Sequence, residues 1–253
     1  IKYDKNIHDF TRVNAMKINN LIEMHSHILP GIDDGAKDVQ TSLKMIERLK
    51  EQGAETIVLT SHFYSDTMSL EDFLAKRDNA MAELTAALPD GSPRLIPAAE
   101  VYISDYLFNY DSLDKLKIGN SDYVLIEHPF SSEFSQKDYN RLSNLYCDYG
   151  VKPILAHIER YKALMDNPKK IDGLLDLGCL TQVNISSFFD EHHSTKKKLF
   201  KLLKAGRISL IGSDCHNMTS RPPEYTDGIS AIAKKCGDEI ITELMNRAKR
   251  ITD

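Results

Sequence analysis

From Leu21 onward, the sequence alternates short apolar runs rich in β-forming residues with longer segments of helical periodicity. Strand–helix alternation of this kind predicts an α/β protein with a parallel sheet and right-handed crossovers. Seven such units in 253 residues favour a closed barrel, and a doubly wound open sheet is the alternative. The predicted strands cover residues 21–27, 55–62, 94–102, 123–128, 152–157, 180–185 and 208–214.

The segments between these strands carry helix signals. Asp38 precedes TSLKMIERLKEQG, in which Leu43, Ile46 and Leu49 recur at helical spacing. Similar segments are SLEDFLAKRDNAMAELTAAL, KDYNRLSNLYCDYG, NPKKIDGLLDLG, STKKKLFKLLKAG, TDGISAIAKKC and DEIITELMNRAKR. Several end in glycine, the residue expected just after a helix C-terminus. Because no linker or internal repeat divides the sequence, we predict a single domain over 21–253.

Composition excludes several classes of protein. The chain is 42% hydrophobic and 27% charged, which is typical of a folded soluble protein. A net charge of −5 without a long Lys/Arg block argues against a nucleic acid or an anionic membrane as partner. No apolar run approaches the roughly 18 residues of a transmembrane helix. Four widely spaced cysteines without a CxxC pair favour the reducing cytoplasm.

The first 20 residues are polar and show no clear period. They lack the charged and then apolar segments of a secretory signal. We interpret 1–20 as an N-terminal extension or a remnant of cloning, with Met16 as an alternative natural start.

Metal-binding residue types concentrate at the C-terminal ends of the predicted strands, where a parallel barrel has its active site. Six of the nine histidines lie there, and the others are His8, His192 and His193. A lone histidine at a strand end is more often structural, but this clustering with carboxylates favours a divalent metal site. The candidate ligands are His25, His27, Asp34, His62, Glu100, Glu127, His157, Asp214 and His216.

The spacing of these residues supports the same prediction. In an extended strand, residues two apart share a face, so His25 and His27 can bind one ion together. Asp214 and His216 can do the same if the extended conformation persists that far. The tight loop PGIDDG can return one of its aspartates over the strand ends. Nine ligands exceed the needs of one ion and suit two or three.

Two arginines, Arg160 and Arg221, closely follow ligand positions in the sequence. A guanidinium can hold phosphate oxygens bidentately, which points to a phosphate ester as substrate. The alternative for each arginine is an ordinary surface ion pair.

Six motifs occur in order along 21–253: MHSHILPGIDDGAKD, TSH, AAEVY, LIE, LAHIERY and GSDCHN, the last followed by RPP. Together they resemble the PHP (polymerase and histidinol phosphatase) family, most closely its protein-tyrosine phosphatase branch from bacterial capsule and exopolysaccharide loci. The resemblance implies a distorted, TIM-like (β/α)7 barrel in one domain with a trinuclear metal site. Manganese is the metal that it implies, although the donor set also suits iron, zinc or magnesium.

The resemblance further assigns the nine candidate ligands to three ions. In this assignment His25, His27, Glu100 and Asp214 bind the first ion. Glu100, Glu127 and His157 bind the second, and Asp34, His62 and His216 bind the third. Arg160 and Arg221 match phosphate-binding arginines. His128 departs from the pattern, which usually has an aromatic or apolar residue there, and we interpret it as structural.

The resemblance therefore predicts a metal-dependent phosphomonoesterase, specifically a protein-tyrosine phosphatase. A hydroxide bridging the metals would attack phosphorus in line, and His216 or a metal-bound water would protonate the leaving group. The implied partner is a bacterial tyrosine autokinase that controls polysaccharide export.

Four alternatives stay open. Cys215 and Arg221 spell C-x5-R, the pattern of cysteine-dependent phosphatases, although short motifs arise by chance. The others are a phosphatase acting on histidinol phosphate, a phosphodiesterase or nuclease, and a barrel that binds metal without catalysis. A basic stripe would be expected of a nuclease, and the sequence has none.

Five aromatic residues follow the second, third and fourth predicted strands and could line the rim around a phosphotyrosine ring. They could equally be core residues. They are Phe63, Tyr64, Tyr102, Phe130 and Phe134.

Overall fold

The computed structural model describes residues 18–253. Most of the predicted extension 1–20, including His8 and Met16, lies outside the described residues. Ile18 is buried, and its N–H donates to the carbonyl oxygen of Gln52 at 2.9 Å. The packed part of the chain therefore includes residues just before Leu21.

The described chain alternates strands and helices as the sequence predicts. The strands are β1 (Leu21–Ser26), β2 (Ala54–Leu59), β3 (His62–Phe63), β4 (Arg94–Pro97), β5 (Glu100–Tyr102), β6 (Tyr123–Glu127), β7 (Lys152–Leu155), β8 (Leu180–Asn184) and β9 (Leu210–Gly212). The helices are α1 (Val39–Glu51), α2 (Leu70–Ala87), α3 (Gln136–Tyr149), α4 (Lys162–Asp166), α5 (Lys169–Asp176), α6 (His193–Lys204), α7 (Thr226–Cys236) and α8 (Asp238–Thr252). Within residues 18–253, no helix is both long and apolar enough to cross a membrane.

Local signals in the sequence explain where the helices begin and end. The side chain of Asp38 accepts the N–H of Thr41 at 2.8 Å, so it caps α1 as predicted. Ser69 caps α2 in the same way through the N–H of Asp72. Gly150 adopts a left-handed conformation with φ 61° and ends α3.

All pairs of neighbouring strands are parallel, which confirms the predicted α/β architecture. One sheet has the order β1-β2-β4 and the other the order β3-β5-β6-β7-β8-β9. Two predicted strands, 55–62 and 94–102, are each split into two short strands, one in either sheet.

The first strand lies beside the segment that follows the last strand. Ser26 and Cys215 form an isolated parallel bridge. The N–H of Asp214 donates to the carbonyl oxygen of His25 at 2.7 Å, and the N–H of His27 donates to that of Cys215 at 2.9 Å. These contacts place the C-terminal ends of β1 and β9 side by side.

Besides β1, five strands contribute one residue each to a buried apolar cluster, which helix α8 also contacts. Two to four residues later, each of these strand segments reaches a polar residue that the sequence predicts as a ligand. We call the five apolar residues the apolar layer: Val58, Ile96, Leu125, Ile154 and Leu210. We call the five polar residues that follow them the ligand layer: His62, Glu100, Glu127, His157 and Asp214.

Candidate metal centre

Four predicted ligands converge at the centre of the ligand layer. The Nε2 atom of His25 lies 3.2 Å from Nε2 of His27, 3.2 Å from Oε2 of Glu100 and 3.4 Å from Oδ1 of Asp214. His27 Nε2 lies 3.3 and 3.4 Å from the same two carboxylate oxygens. A tetrahedron with metal–ligand bonds of about 2.0–2.1 Å has edges of about 3.3–3.4 Å. The four atoms therefore have the spacing of ligands around one ion.

Glu100 also belongs to a second group. Its Oε1 atom lies 2.9 Å from Nε2 of His157, and that nitrogen lies 3.4 Å from Oε1 of Glu127. Glu100 therefore directs one carboxylate oxygen to each group, as a bridging ligand would.

A third group lies at the more open edge of the centre. Oδ1 of Asp34 lies 3.5 Å from Nε2 of His62 and 3.4 Å from Nε2 of His216. Ligand atoms of His27, Asp34, His62 and His216 lie within 4.8 Å of one another, and so do those of His62, Glu100 and Glu127. The structure thus brings all nine predicted ligands into one connected cluster. The groups overlap, because His27 and His62 each lie near ligands that the resemblance gives to another ion.

Unpartnered polar atoms in the cluster also fit a bound cation. Oε2 of Glu100, Nδ1 of His62 and Nε2 of His216 are buried and have no hydrogen-bond partner among residues 18–253. Buried polar atoms nearly always have a partner, so each such atom needs an explanation. A bound metal ion would supply the missing partner for buried lone pairs of this kind.

Hydrogen bonds to side chains outside the three ligand groups orient two imidazole rings of the cluster. His25 Nδ1 lies 3.2 Å from Oε1 of Gln182, and His27 Nδ1 lies 2.9 Å from Oδ2 of Asp33. When the Nδ1–H group donates to such a partner, Nε2 keeps a free lone pair for a metal ion, which is typical of metal-binding histidines.

Asp33 and Asp34 have different positions, which the sequence could not distinguish. Asp34 lies among the ligands, whereas Asp33 accepts hydrogen bonds from His27 and from the backbone N–H groups of His62 and Gly35. Burial opposes ionisation of Asp33, but the hydrogen bond and positive charge of His27 lower its pKa to about 2. Asp33 therefore stays ionised and holds the His27 ring in place.

Sequence reasoning missed the contribution of β8. Oε1 of Gln182 accepts the backbone N–H of His157 at 2.7 Å, and its Nε2 donates to Oδ1 of Asn184 at 3.0 Å. Asn184 donates in turn to Oδ2 of Asp214 at 2.8 Å. The two amides thus link ligands on three strands. They stand two residues apart at a predicted strand end, but amides are too common there to have identified them.

The sequence also gave no indication of the role of Glu23 beside the cluster. It is completely buried, and its Oε1 accepts the N–H groups of His25 and Ser213 and the hydroxyl of Tyr225. Burial raises the pKa of Glu23. The carboxyl group fixes β1 to the segment that carries Asp214.

The backbone departs from the extended conformation at two ligands. His157 has φ 32° and Asp214 has φ 54°, which is the left-handed region that residues other than glycine rarely adopt. The extended conformation of β9 therefore does not continue through Asp214 to His216. Gly212 leaves room for this packing, because a Cβ atom there would lie 2.6 Å from Cβ of His25.

The metal-free cluster balances its carboxylates with protons. Burial lowers the pKa of His157, but hydrogen bonds to Glu100 and Glu127 outweigh burial and raise it to about 9. The pKa of His27 is likewise raised well above its usual value, against burial, by Asp214 and Asp33. Divalent cations would replace these protons, so metal binding should release protons.

His216 is different because it lies beside positive groups. Burial, with the charges of His27 and Arg221, lowers its pKa to about 4. The ring is therefore neutral at pH 7, and its Nδ1–H donates to the carbonyl oxygen of Asp214 at 2.9 Å. Nε2 is left as a lone pair, which suits a ligand better than an acid.

The two predicted arginines border the centre. Arg160 and Arg221 each donate to Oδ2 of Asp214, at 2.8 and 2.6 Å. Both side chains are about one-third exposed, at 37% and 35%. They can therefore meet an incoming ligand from solvent while they remain beside the ligand layer.

Cys215, the alternative nucleophile, and His128, which departs from the family pattern, lie outside the three groups of predicted ligands. Cys215 is completely buried, and burial raises the pKa of its thiol well above the usual value, which disfavours a thiolate nucleophile. His128 is buried against Phe134, with ring centroids 5.1 Å apart, and burial lowers its pKa to about 4. Its position fits the structural interpretation.

The five aromatic residues considered for a rim fall into two sets. Phe63 and Phe134 are buried, so the alternative of a core position is confirmed for these two. Tyr64 and Phe130 are exposed, at 37% and 53%, and Tyr102 is partly exposed. Sequence periodicity could not separate these two sets, because all five residues lie at the end of a strand or in the loop after it.

Fold and site together define a class: a parallel α/β protein with a cluster of histidines and carboxylates suited to several divalent ions. The chain belongs to the family described as capsular polysaccharide synthesis, CpsB/CapC, whose model matches residues 21–251.

Named relatives agree with this membership. The tyrosine-protein phosphatase CpsB of Streptococcus pneumoniae is 33% identical over 92% of this chain and 99% of its own. The tyrosine-protein phosphatase YwqE of Bacillus subtilis is 25% identical over 90% of each chain. A solved structure from a study of YwqE and CpsB, "unique metal-dependent tyrosine phosphatases", matches with a TM-score of 0.79 and 25% identity, over 92% of this chain and 94% of the other.

Proposed function

We propose that this protein is a metal-dependent protein-tyrosine phosphatase that hydrolyses phosphotyrosine in a protein substrate. The observation that carries the proposal is the cluster of nine predicted ligands at and near the strand ends, with two partly exposed arginines beside it. The relatives called tyrosine-protein phosphatases, similar along nearly their whole length, support the substrate class.

In this proposal His25, His27, Asp34, His62, Glu100, Glu127, His157, Asp214 and His216 hold two or three ions. Such ions, when bound, would polarise a phosphoryl group and would lower the pKa of a bound water molecule to about 7. Manganese is proposed on family resemblance, and iron, zinc and magnesium fit the same donors.

The residues of the chain position the phosphate and the ligands. Arg160 and Arg221 bind equatorial phosphate oxygens and neutralise the charge that grows on them in the transition state. Asp33 and Gln182 hold imidazole rings in the orientation that directs Nε2 to the ions. His216 serves as a ligand, since its only N–H donates to Asp214. A tyrosyl oxygen needs little help to leave, because a phenol has a pKa near 10.

We also propose that the fold is a distorted (β/α)7 barrel of the PHP type over residues 21–253. Support comes from the nine strands of the described residues, which become seven when the two split strands are each counted once, and from the bridge between Ser26 and Cys215. The proposed partner is a bacterial tyrosine autokinase. A cytoplasmic location belongs to the same proposal, and the four cysteines, all free thiols, fit it.

A substrate panel combined with metal analysis tests the proposal. Phosphotyrosyl peptides should be hydrolysed with kcat/KM well above phosphoseryl peptides and histidinol phosphate. Prolonged chelation should abolish the activity and added Mn²⁺ restore it, while Cys215→Ser keeps most of it. An inactive Cys215→Ser protein with full metal content would favour the cysteine mechanism. A higher kcat/KM for histidinol phosphate would reject the assignment to tyrosine.

A further inference from the structure

A cavity of about 250 Å³ opens beside the third group of ligands. Its walls combine two metal-binding candidates with apolar and aromatic side chains. The lining residues are Ile32, Asp33, Asp34, His62, Tyr64, Thr67 and Met68. The cavity therefore joins an apolar surface directly to the proposed metal centre.

The aromatic wall of this cavity is held in place. The carbonyl oxygen of Tyr64 accepts the N–H groups of Thr67 and Met68, each at 3.1 Å, which closes the loop after β3 into a turn. The ring of Tyr64 lies 5.2 Å from that of His62 and 5.6 Å from that of Tyr102. The wall thus has a defined position relative to a ligand.

The chemistry of the cavity suits a neutral ring next to a phosphate. A phenol is uncharged at neutral pH, so the side chain of Tyr64 adds no negative charge beside a phosphate. Ile32 and Met68 are partly buried and pack against the core, so they present fixed apolar surface. Cavities of about 150 Å³ lined by apolar side chains can bind benzene, so the volume is sufficient for one ring.

An aryl phosphate ester carries its ring directly on the bridging oxygen. When its phosphate contacts the ions, the ring must lie immediately beside their ligands. We propose that this cavity is an aryl-binding subsite, in which the substrate's phenyl ring packs against Ile32, Tyr64 and Met68 while the phosphate faces Asp34 and His62. The inference rests on the proposed function and names the residues that select tyrosine.

A second aromatic side chain, Phe130, offers a competing position. It is 53% exposed, its ring lies 5.7 Å from that of His157, and it lies 6.0 Å from the Arg160 guanidinium carbon. It lies near the second group of ligands, away from the lining of the cavity. Substitutions at the two positions therefore distinguish where the ring binds.

The test measures inhibition by phenylphosphonate and methylphosphonate, which bind without turnover and differ in the ring. The wild-type protein with its metals should bind phenylphosphonate about 10-fold or more tightly, because ring burial is favourable. The double variant Tyr64→Ala/Met68→Ala should lose most of this preference, with methylphosphonate inhibition and metal content unchanged. Tyr146→Ala, an exposed aromatic substitution on α3, is the matched control and should keep the preference.

The outcomes separate this inference from the proposed function. Loss of the preference in Phe130→Ala with retention in the double variant would place the ring beside His157 and overturn the subsite. Equal binding of both phosphonates by the wild-type protein would overturn it too. If phosphotyrosyl peptides are not hydrolysed although the preference depends on Tyr64 and Met68, the proposed function fails and the subsite stands. If the double variant loses metal, Met68→Ala alone gives the same comparison.

Discussion

The apolar layer and the ligand layer are built by the same strand segments, yet they have opposite energetics. Each side chain of the apolar layer contributes about 1.5–3 kcal/mol by its burial. The ligand layer buries carboxylates such as Glu100 and Asp214, and burying a charge costs several kcal/mol before its partners compensate. Residues that stabilise the fold and residues that could bind metal thus lie only two to four positions apart along the chain.

This contrast has a structural basis in the polar partners of the ligand layer. Its charges are compensated by protons on His27 and His157 in the metal-free protein and would be compensated by cations in the loaded protein. The apolar layer needs no such compensation. We therefore expect substitutions in one layer to change metal content and rate, and substitutions in the other to change the free energy of unfolding.

The largest effect is expected for Glu100→Gln in the ligand layer. The change removes the charge of the residue that faces two groups of ligands, so metal content and kcat should both fall to near background. The melting temperature of the metal-free protein should also fall, because the protonated histidines His27 and His157 lose a carboxylate that compensates their charge. Metal analysis and calorimetry on chelated samples measure both. Normal metal content would refute the bridging role.

Arg221→Ala should leave the metals bound and reduce kcat by about 10²- to 10³-fold, the usual cost of losing one donor to developing charge. Steady-state kinetics with a phosphotyrosyl peptide measure the change. Arg250→Ala, an exposed arginine on α8, is the matched control and should behave like the wild type. Full activity in Arg221→Ala would show that this arginine does not contact the transferred phosphate.

Asp33→Asn should weaken metal binding by about 10- to 100-fold, the typical cost of losing an outer partner of a ligand histidine. Titration of the chelated protein with Mn²⁺ gives the affinity. Asp38→Asn makes the same change of charge nearby and should leave affinity and stability nearly unchanged, since asparagine also caps helices. Equal metal affinity in Asp33→Asn and the wild type would argue that Asp33 does not orient His27.

The smallest effect is expected in the apolar layer. Ile154→Val removes one buried methylene and should lower the free energy of unfolding by about 0.5–1.5 kcal/mol. Urea denaturation measures this loss, and kcat and metal content should not change. A marked loss of metal from Ile154→Val would show that the two layers are coupled and would break the comparison.

The sequence predicts the ligand layer better than it predicts the structure around it. Histidines and carboxylates at strand ends are chemically distinctive, so residues such as His62 and Asp214 can be proposed as ligands without coordinates, and the structure places them in one cluster. The different positions of Asp33 and Asp34 depend on the path of a tight loop, which no periodicity encodes. Gln182 and Glu23 are ordinary residues until their hydrogen bonds are known.

The same limit applies to the fold. Alternating segments predict parallel strands and their approximate ends, because hydrophobic periodicity reports burial. The splits in strands 55–62 and 94–102 were not predicted, since they depend on how two sheets meet. The burial of Phe63 and Phe134 depends on packing across the molecule in the same way.

The carboxylate that Arg160 and Arg221 share also bears on how the two arginines would receive a phosphate. Oδ2 of Asp214 accepts from one N–H group of each arginine, so the other N–H groups of both guanidinium groups stay available. The shared carboxylate restricts both side chains before a phosphate arrives, and a restricted side chain loses less conformational entropy on binding. The two arginines are in this sense preorganised, because their mobility is reduced in advance of binding.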